Sequence, residues 1–235
     1  MEPGALKLRC PCTCILSGPS SSGKTTLVRQ IIQNLDQCFD RPPAQIVYCF
    51  SIDQPVFEEI RKECKIPIDF VFEIPENFKP RPRTLIIMDD LQNSAKTIAD
   101  YFTKISHHSD SDVLYLVQNI FLQNDSHRTC NLNTHALCLF KNPRNSQQIG
   151  HLARQIRPNN PKFLLSAYRQ ATEKPHGYLF LNLQQATPDH LRVRDSIFYT
   201  KANFFVDKND FEKADLGAVS GGASHATVSG AAHYK

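Results

Sequence analysis

No window of this 235-residue chain approaches the uninterrupted apolar length needed to cross a membrane, and Met1–Arg9 hold no apolar segment of the signal type. A soluble, intracellular chain with no membrane partner is expected. Its eight cysteines include no CxxC pair, and His107-His108 have no third ligand at metal spacing, so neither a disulfide scaffold nor a zinc framework is expected. Cys10, Cys12 and Cys14 alternate along an expected strand, an arrangement that reads as spreading them over opposite faces; with Cys49 and Cys138 in buried strands, they read as reduced structural thiols. There is no internal repeat. The length and 41% hydrophobic content suffice for one domain of generous size.

The net charge of +4 is mild but unevenly spread. From Lys141 to Lys201 ten basic residues, among them Arg144, Arg154, Arg157, Arg192 and Arg194, face only Glu173, Asp189 and Asp195. Solvated helix faces explain such a run as well as a surface turned toward a polyanion does.

What is present is a phosphate-binding loop of the form GxxxxGK[ST]: Gly18, Pro19, Ser20, Ser21, Ser22, Gly23, Lys24 and Thr25, followed by Thr26. The glycines let successive N–H groups point at the phosphates of ATP, Lys24 reaches the β and γ oxygens, and the Thr25 hydroxyl is placed to ligate Mg²⁺. Cys12–Ser17 reads as a buried strand before it. Leu27, Val28, Ile31, Ile32 and Leu35 recur at helical spacing after it, and a helix N-terminus completes an anion site.

Ile46–Ser51 reads as a second strand, a helix is expected from near Asp53, and Phe70–Ile74 as a short edge strand. Thr84-Leu85-Ile86-Ile87-Met88-Asp89-Asp90 then delivers two carboxylates from an apolar strand, the Walker B form. Asp89 is expected to hold Mg²⁺, and Asp90 stands where many P-loop ATPases carry the acid that polarises water. Ser94 reads as capping a helix with Ile98, Phe102 and Ile105 inward. The strand Val113–Val117 ends in Gln118, an amide suited to sensing a γ-phosphate or orienting water. Arg128 is expected in a loop spanning Leu122–Asn133, at the nucleotide edge of the sheet, and His135–Phe140 reads as a strand. A helix opens at Asn145 or Ser146, and another, capped by Asn160-Pro161, runs to Ala171. Strands are expected at Tyr178–Leu183 and Leu191–Tyr199, with Arg192 and Arg194 alternating with Leu191 and Val193. Residues 1–11 read as an N-terminal extension and 12–205 as a P-loop ATPase domain. Residues 206–235, holding four of the nine glycines, read as a disordered Gly/Ala/Ser-rich tail.

GTPases need NKxD and DxxG, and transporter ATPases an LSGGQ-like signature before the Walker B strand; neither accompanies this loop. A nucleoside or nucleotide kinase stays open on size, although no Arg-rich lid is evident. The chain resembles the FtsK/HerA group, and within it the genome-packaging ATPases of poxvirus-type DNA viruses and Maverick/Polinton transposons. That resemblance covers roughly Thr13–Phe198. It lies in GPSSSGKT and LIIMDDL, in Phe102-Thr103-Lys104 with Ser106-His107-His108, and in Leu116-Val117-Gln118-Asn119. It continues in Arg128 with Asn131-Leu132-Asn133, in Phe140-Lys141-Asn142-Pro143-Arg144 leading to His151-Leu152-Ala153-Arg154-Gln155, and in Pro175-His176-Gly177-Tyr178. It implies an α/β fold, a RecA-like P-loop NTPase core with a mostly parallel central sheet and helices on both faces. The Gln118 strand is then expected between the P-loop and Walker B strands. It further implies ATP and Mg²⁺ held through Lys24, Thr25, Asp89 and Gln118, and a homo-oligomeric ring moving double-stranded DNA into a capsid. A host-type DNA pump fits the same resemblance. The group commonly has Glu at the position of Asp90, which leaves the base less secure than the metal ligand. Ring ATPases commonly borrow an arginine from a neighbour, and Arg128 is the candidate, with Arg144 its competitor.

Overall fold

Strands that are apolar along their whole length must be covered on both faces, and this pattern selects a parallel sheet with helices on either side. The computed structural model describes residues 6–74, 78–91, 94–120, 125–144 and 146–207. Its sheet has eight strands: β1 (Thr13–Ser17), β2 (Gln45–Phe50), β3 (Ile68–Phe72), β4 (Thr84–Asp89), β5 (Asp112–Val117), β6 (Ala136–Phe140), β7 (Tyr178–Asn182) and β8 (Val193–Arg194). They lie in the order β3-β2-β4-β5-β1-β6-β7-β8. The first six are parallel, and β7 and β8 complete the edge antiparallel. As expected, β5 separates the P-loop strand from the Walker B strand.

Each face of the sheet has its own core. On one side α1 (Lys24–Gln33), α2 (Leu35–Cys38) and α3 (Val56–Glu63) bring Leu27, Val28, Ile31, Phe57 and Ile60 against Leu16, Tyr48 and Leu114. On the other lies a continuous helical run: α4 (Ala95–Asp100), a π-helical stretch Tyr101–Ile105, and α5 (Ser106–His108). With α6 (Asp125–Leu132), α7 (Ser146–Ile156) and α8 (Pro161–Ala171), it covers Ile15, Met88 and Tyr115. Each such fully buried aliphatic or aromatic side chain contributes about 1.5–3 kcal/mol. Asn160 caps α8 as expected, its side chain accepting from Phe163 N.

Several expectations need correction. Residues two apart on a strand share a face, and Cys12 and Cys14 both point into the core beneath α1 rather than to opposite sides. Both are free and buried, as are Cys49 and Cys138. Arg128 lies on a helix, not in a loop. The segment has no apolar stripe to announce α6, which is held by His127 and Cys130, three apart, with the His127 ring stacked on Tyr115 at 5.9 Å.

The strand expected over Leu191–Tyr199 shrinks to two residues. Leu191 ends a 3₁₀ turn. Beyond Arg194, the Asp195 carboxylate accepts from Asn203 N at 2.7 Å and the Tyr178 hydroxyl from Ile197 N at 3.0 Å, so the chain turns out of the sheet. Arg194 is buried under the Phe180 ring, 4.4 Å from its centroid, and bonded to the Leu6 and Ile197 carbonyls. Burial lowers its pKa to about 10, and it leaves the basic surface run. Lys141, Arg144, Arg154, Lys162, Arg169, Lys174 and Lys201 are exposed. The edge strand β3 begins two residues earlier than expected. Of the segment set apart as an extension, Leu8 is fully buried and bonded to Cys38 and Asp40. The Gly/Ala/Ser-rich tail falls almost wholly on residues 208–235, outside the described residues. Among the described residues, no helix is long and apolar enough to cross a membrane.

Candidate nucleotide site

The P-loop joins β1 to α1. Gly18 N donates to the Val117 carbonyl at 3.1 Å, tying the loop to the end of β5, and Ser22 N closes a turn on the Pro19 carbonyl at 3.2 Å. Ser21 and Gly23 have left-handed backbone, at φ 61° and 104°. Glycine carries no Cβ to oppose this, whereas Ser21 bears on the order of 1 kcal/mol of strain. Gly18 is needed for space: a Cβ there would sit 2.6 Å from Phe140 Cβ and 2.7 Å from Ser22 Oγ. Ser22 Oγ itself is buried with no hydrogen-bond partner among the described residues.

The first helical turn of α1 has no side-chain cap and no acidic residue. Its free N–H groups and positive dipole end therefore meet the loop without an internal competitor. Lys24 Nζ donates to the Gly18 carbonyl at 2.6 Å and the Pro19 carbonyl at 3.0 Å, which holds the ammonium in the middle of the loop.

Beside this loop is a cavity of about 260 Å³. Ser20, Ser21, Lys24 and Thr25 line it from the loop, Asp89 and Asp90 from the end of β4, and Gln118 from just beyond β5. It opens at the carboxyl ends of the parallel strands, where open α/β sheets bind ligands. A larger groove of about 620 Å³ lies toward the amino ends of β4 and β5, away from the P-loop; Phe78, Pro80, Pro82 and Ile105 line it together with Lys79, Lys104, His108 and Asp110.

The charges in the cavity are interdependent. Burial lowers the pKa of Lys24, and Asp89 and Asp90 oppose that shift. Burial raises the pKa of Asp89, the negative charge of Asp90 adds to the rise, and the Tyr48 hydroxyl and Lys24 act against it. Tyr48 Oη donates to Asp89 Oδ2 at 2.8 Å from within the sheet. Asp90 sits at φ 54°, which turns it away from the strand line, and Gln118 Nε2 donates to Asp90 Oδ2 at 3.3 Å. The Thr25 hydroxyl and the Asp89 carboxylate are hard oxygen donors of the kind Mg²⁺ takes, and the glycine cradle with the uncapped α1 suits a polyphosphate.

The structure thus brings Lys24, Thr25, Asp89, Asp90 and Gln118 to one cavity, with Gly18, Pro19, Ser22, Gly23 and Thr26 forming the surrounding loop and helix start. Arg128 does not line it; it is exposed on α6, and Arg144 is exposed in the turn after β6.

No family model matches this chain, and no curated protein does. Among solved structures, it is similar to the genome-packaging NTPase B204 of Sulfolobus turreted icosahedral virus 2 in complex with ATP-gammaS, at 10% identity over 78% of this chain and 94% of that one, with a TM-score of 0.44. It is similar also to the DNA-packaging ATPase B204 of Sulfolobus turreted icosahedral virus, at 11% identity over 75% and 94%, with a TM-score of 0.48. A third likeness is to the ATPase DotB of Legionella pneumophila, at 11% identity over 91% and 63%, with a TM-score of 0.33. At these values, neither residue roles nor activity are carried from those proteins to this chain.

Sequence reasoning gave no place at the site to Tyr48, Ser51, Gln54 or His176, the last of which it named only within the resemblance. A phenol inside an otherwise aliphatic strand was the available signal for Tyr48, since a buried hydroxyl needs a partner. Ser51 and Gln54 line the cavity from the connection after β2, and Ser51 Oγ donates to the Asp90 carbonyl at 3.2 Å. His176 reaches the P-loop from the turn before β7, a contact 154 positions apart that no local pattern announces.

Proposed function

We propose that this chain is an ATP hydrolase that drives double-stranded DNA, working as a homo-oligomeric ring and packaging a viral or virus-like transposon genome into a capsid. The observation that carries the hydrolase half is the convergence of Lys24, Thr25, Asp89, Asp90 and Gln118 on the cavity beside the P-loop. The translocase half rests on the sequence resemblance and on the seven exposed basic side chains between Lys141 and Lys201, which suit phosphate contacts without base reading.

In this reading the loop amides and Lys24 bind the β and γ phosphates, and Thr25 with Asp89 holds Mg²⁺. The metal, when bound, neutralises charge on the transferring phosphoryl group. The Tyr48 hydroxyl favours the ionised form of Asp89 against the effect of burial and orients it. Asp90 and Gln118, joined by their hydrogen bond, position the attacking water, and the Asp90 carboxylate takes up its proton. Arg128 is assigned as the arginine lent to the neighbouring subunit's site, a role worth roughly 10³–10⁵ in rate.

The ATPase rate with and without double-stranded DNA, read beside the mass of the assembly, tests the whole reading. Stimulation by unrelated duplexes, fading steeply with salt, is expected of a multi-subunit species. Phosphorylation of nucleosides with indifference to DNA would establish a kinase instead, and a strong sequence preference would establish a regulator. For Arg128, Lys24→Ala and Arg128→Ala proteins should each be inactive and should regain hydrolysis when mixed in one ring. Near-normal activity of Arg128→Ala alone removes it from the site.

A further inference from the structure

The P-loop is approached from two sides. Across β5 and β4 come Gln118, Asp89 and Asp90; from the other side, beyond β6, comes the turn joining α8 to β7, which carries His176. His176 Nδ1 donates to the Ser22 carbonyl at 3.3 Å, and a Cβ built on Gly23 would lie 3.2 Å from His176 Cβ and 3.4 Å from Nδ1. The imidazole therefore rests directly on the outer bend of the phosphate loop, and it is exposed.

The turn that presents it is braced. His176 has left-handed backbone, at φ 61°, a region that a side chain disfavours. A Cβ on the next residue, Gly177, would fall 2.4 Å from the Ala171 carbonyl, so the chain is packed hard against the end of α8. Thr172 Oγ1 donates to the Tyr168 carbonyl at 2.7 Å, and Gly177 N to the Lys174 carbonyl at 3.1 Å, which secure the two ends of the turn. An exposed contact of 3.3 Å to Ser22 adds little stability by itself and does not account for this bracing. Strained backbone held in place by its surroundings is where function is commonly found.

We propose that His176 is the platform on which the base of the bound nucleotide stacks. The proposal rests on the nucleotide reading of the site. If the terminal phosphate faces Asp89, Asp90 and Gln118, the nucleoside leaves the loop on the opposite side, where the imidazole stands. A flat heterocycle on a rigid turn offers a π-face to a purine at little ordering cost.

Binding of MgATP and of inorganic tripolyphosphate, which has no base, separates the roles. His176→Asn removes the ring while keeping a residue that tolerates left-handed backbone, and His176→Phe restores a plane. With melting temperatures matched to the wild type, His176→Asn should weaken MgATP about tenfold and change tripolyphosphate by less than about twofold, with His176→Phe recovering most of the loss. Equal weakening of both ligands would make His176 a shaper of the phosphate loop and overturn the proposal, as would unchanged MgATP affinity in His176→Asn. A wild type that binds tripolyphosphate as tightly as MgATP would overturn the platform and leave the phosphate site standing. One that binds neither would overturn the nucleotide site and the platform with it.

Discussion

Asp89 and Asp112 stand at opposite ends of neighbouring strands, the first closing β4 and the second opening β5, and both are buried, at 6% and 2% exposure. Burial raises the proton affinity of both. Their surroundings differ. Asp89 has the Lys24 ammonium, the Tyr48 hydroxyl and an open cavity before it. Asp112 accepts the Cys12 N–H at 2.8 Å, has the Cys10 and Cys12 thiols beside it and is pressed by the charge of Asp110; its pKa is pushed up to about 6. The end of the sheet around it is closed by local pairings, Arg41 with Asp110 at 2.8 Å and Thr13 N with His135 Nδ1 at 3.0 Å. A buried carboxylate becomes useful for metal chemistry where a cation and a donor keep it ionised and a ligand can reach it; without these it is a structural group with a pH-dependent cost.

Activity should break the symmetry most strongly. Lys24→Ala and Asp89→Asn should each lower ATP hydrolysis by about 10²–10³-fold or more with the melting temperature little changed, whereas Asp112→Asn should leave the rate near that of the wild type. Turnover surviving in Lys24→Ala or Asp89→Asn would remove the site assignment. A collapse in Asp112→Asn would show that the two ends are not independent.

Stability against pH should separate them next. Asp112 has a folded pKa of about 6, above the ordinary value of about 3.9, so the folded state holds the proton more tightly. Stability is favoured below about pH 4 and is lost as pH rises toward about 6, a cost on the order of 3 kcal/mol once the carboxylate is ionised. Asp112→Asn should flatten that slope and be more stable than the wild type at neutral pH, as urea unfolding at several pH values would reveal. A slope that survives the substitution would place the titration elsewhere.

The smallest expected effect belongs to Tyr48→Phe. Removing the donor to Asp89 should cost about 1 kcal/mol of stability. Because the hydroxyl favours the ionised carboxylate, its loss should move the acid limb of kcat/KM to higher pH and raise the Mg²⁺ concentration needed for activity there. An unmoved limb would mean that Asp89 does not set it.

The chain's own pattern determined the parts of this protein that local physics controls. An apolar run needs no partner to declare a buried strand, so β1, β2, β4, β5, β6 and β7 were legible within a residue or two. The loop from Gly18 to Thr25 must be spaced as it is to wrap a phosphate, and a carboxylate after four apolar residues emerges at a strand's end. Tertiary structure decided what depends on distant neighbours. Helix α6 has no stripe of its own and exists because His127 finds Tyr115. Arg194 looked like an outward member of an alternating strand, yet Phe180 and the Leu6 carbonyl enclose it. Tyr48 under Asp89, the sealed Asp112, and His176 on the bend of the phosphate loop are all meetings of residues far apart in sequence. Sequence periodicity reports which face of an element is apolar; it carries no information on which other element arrives there, and that arrival sets the charge, access and strain on which the proposed chemistry depends.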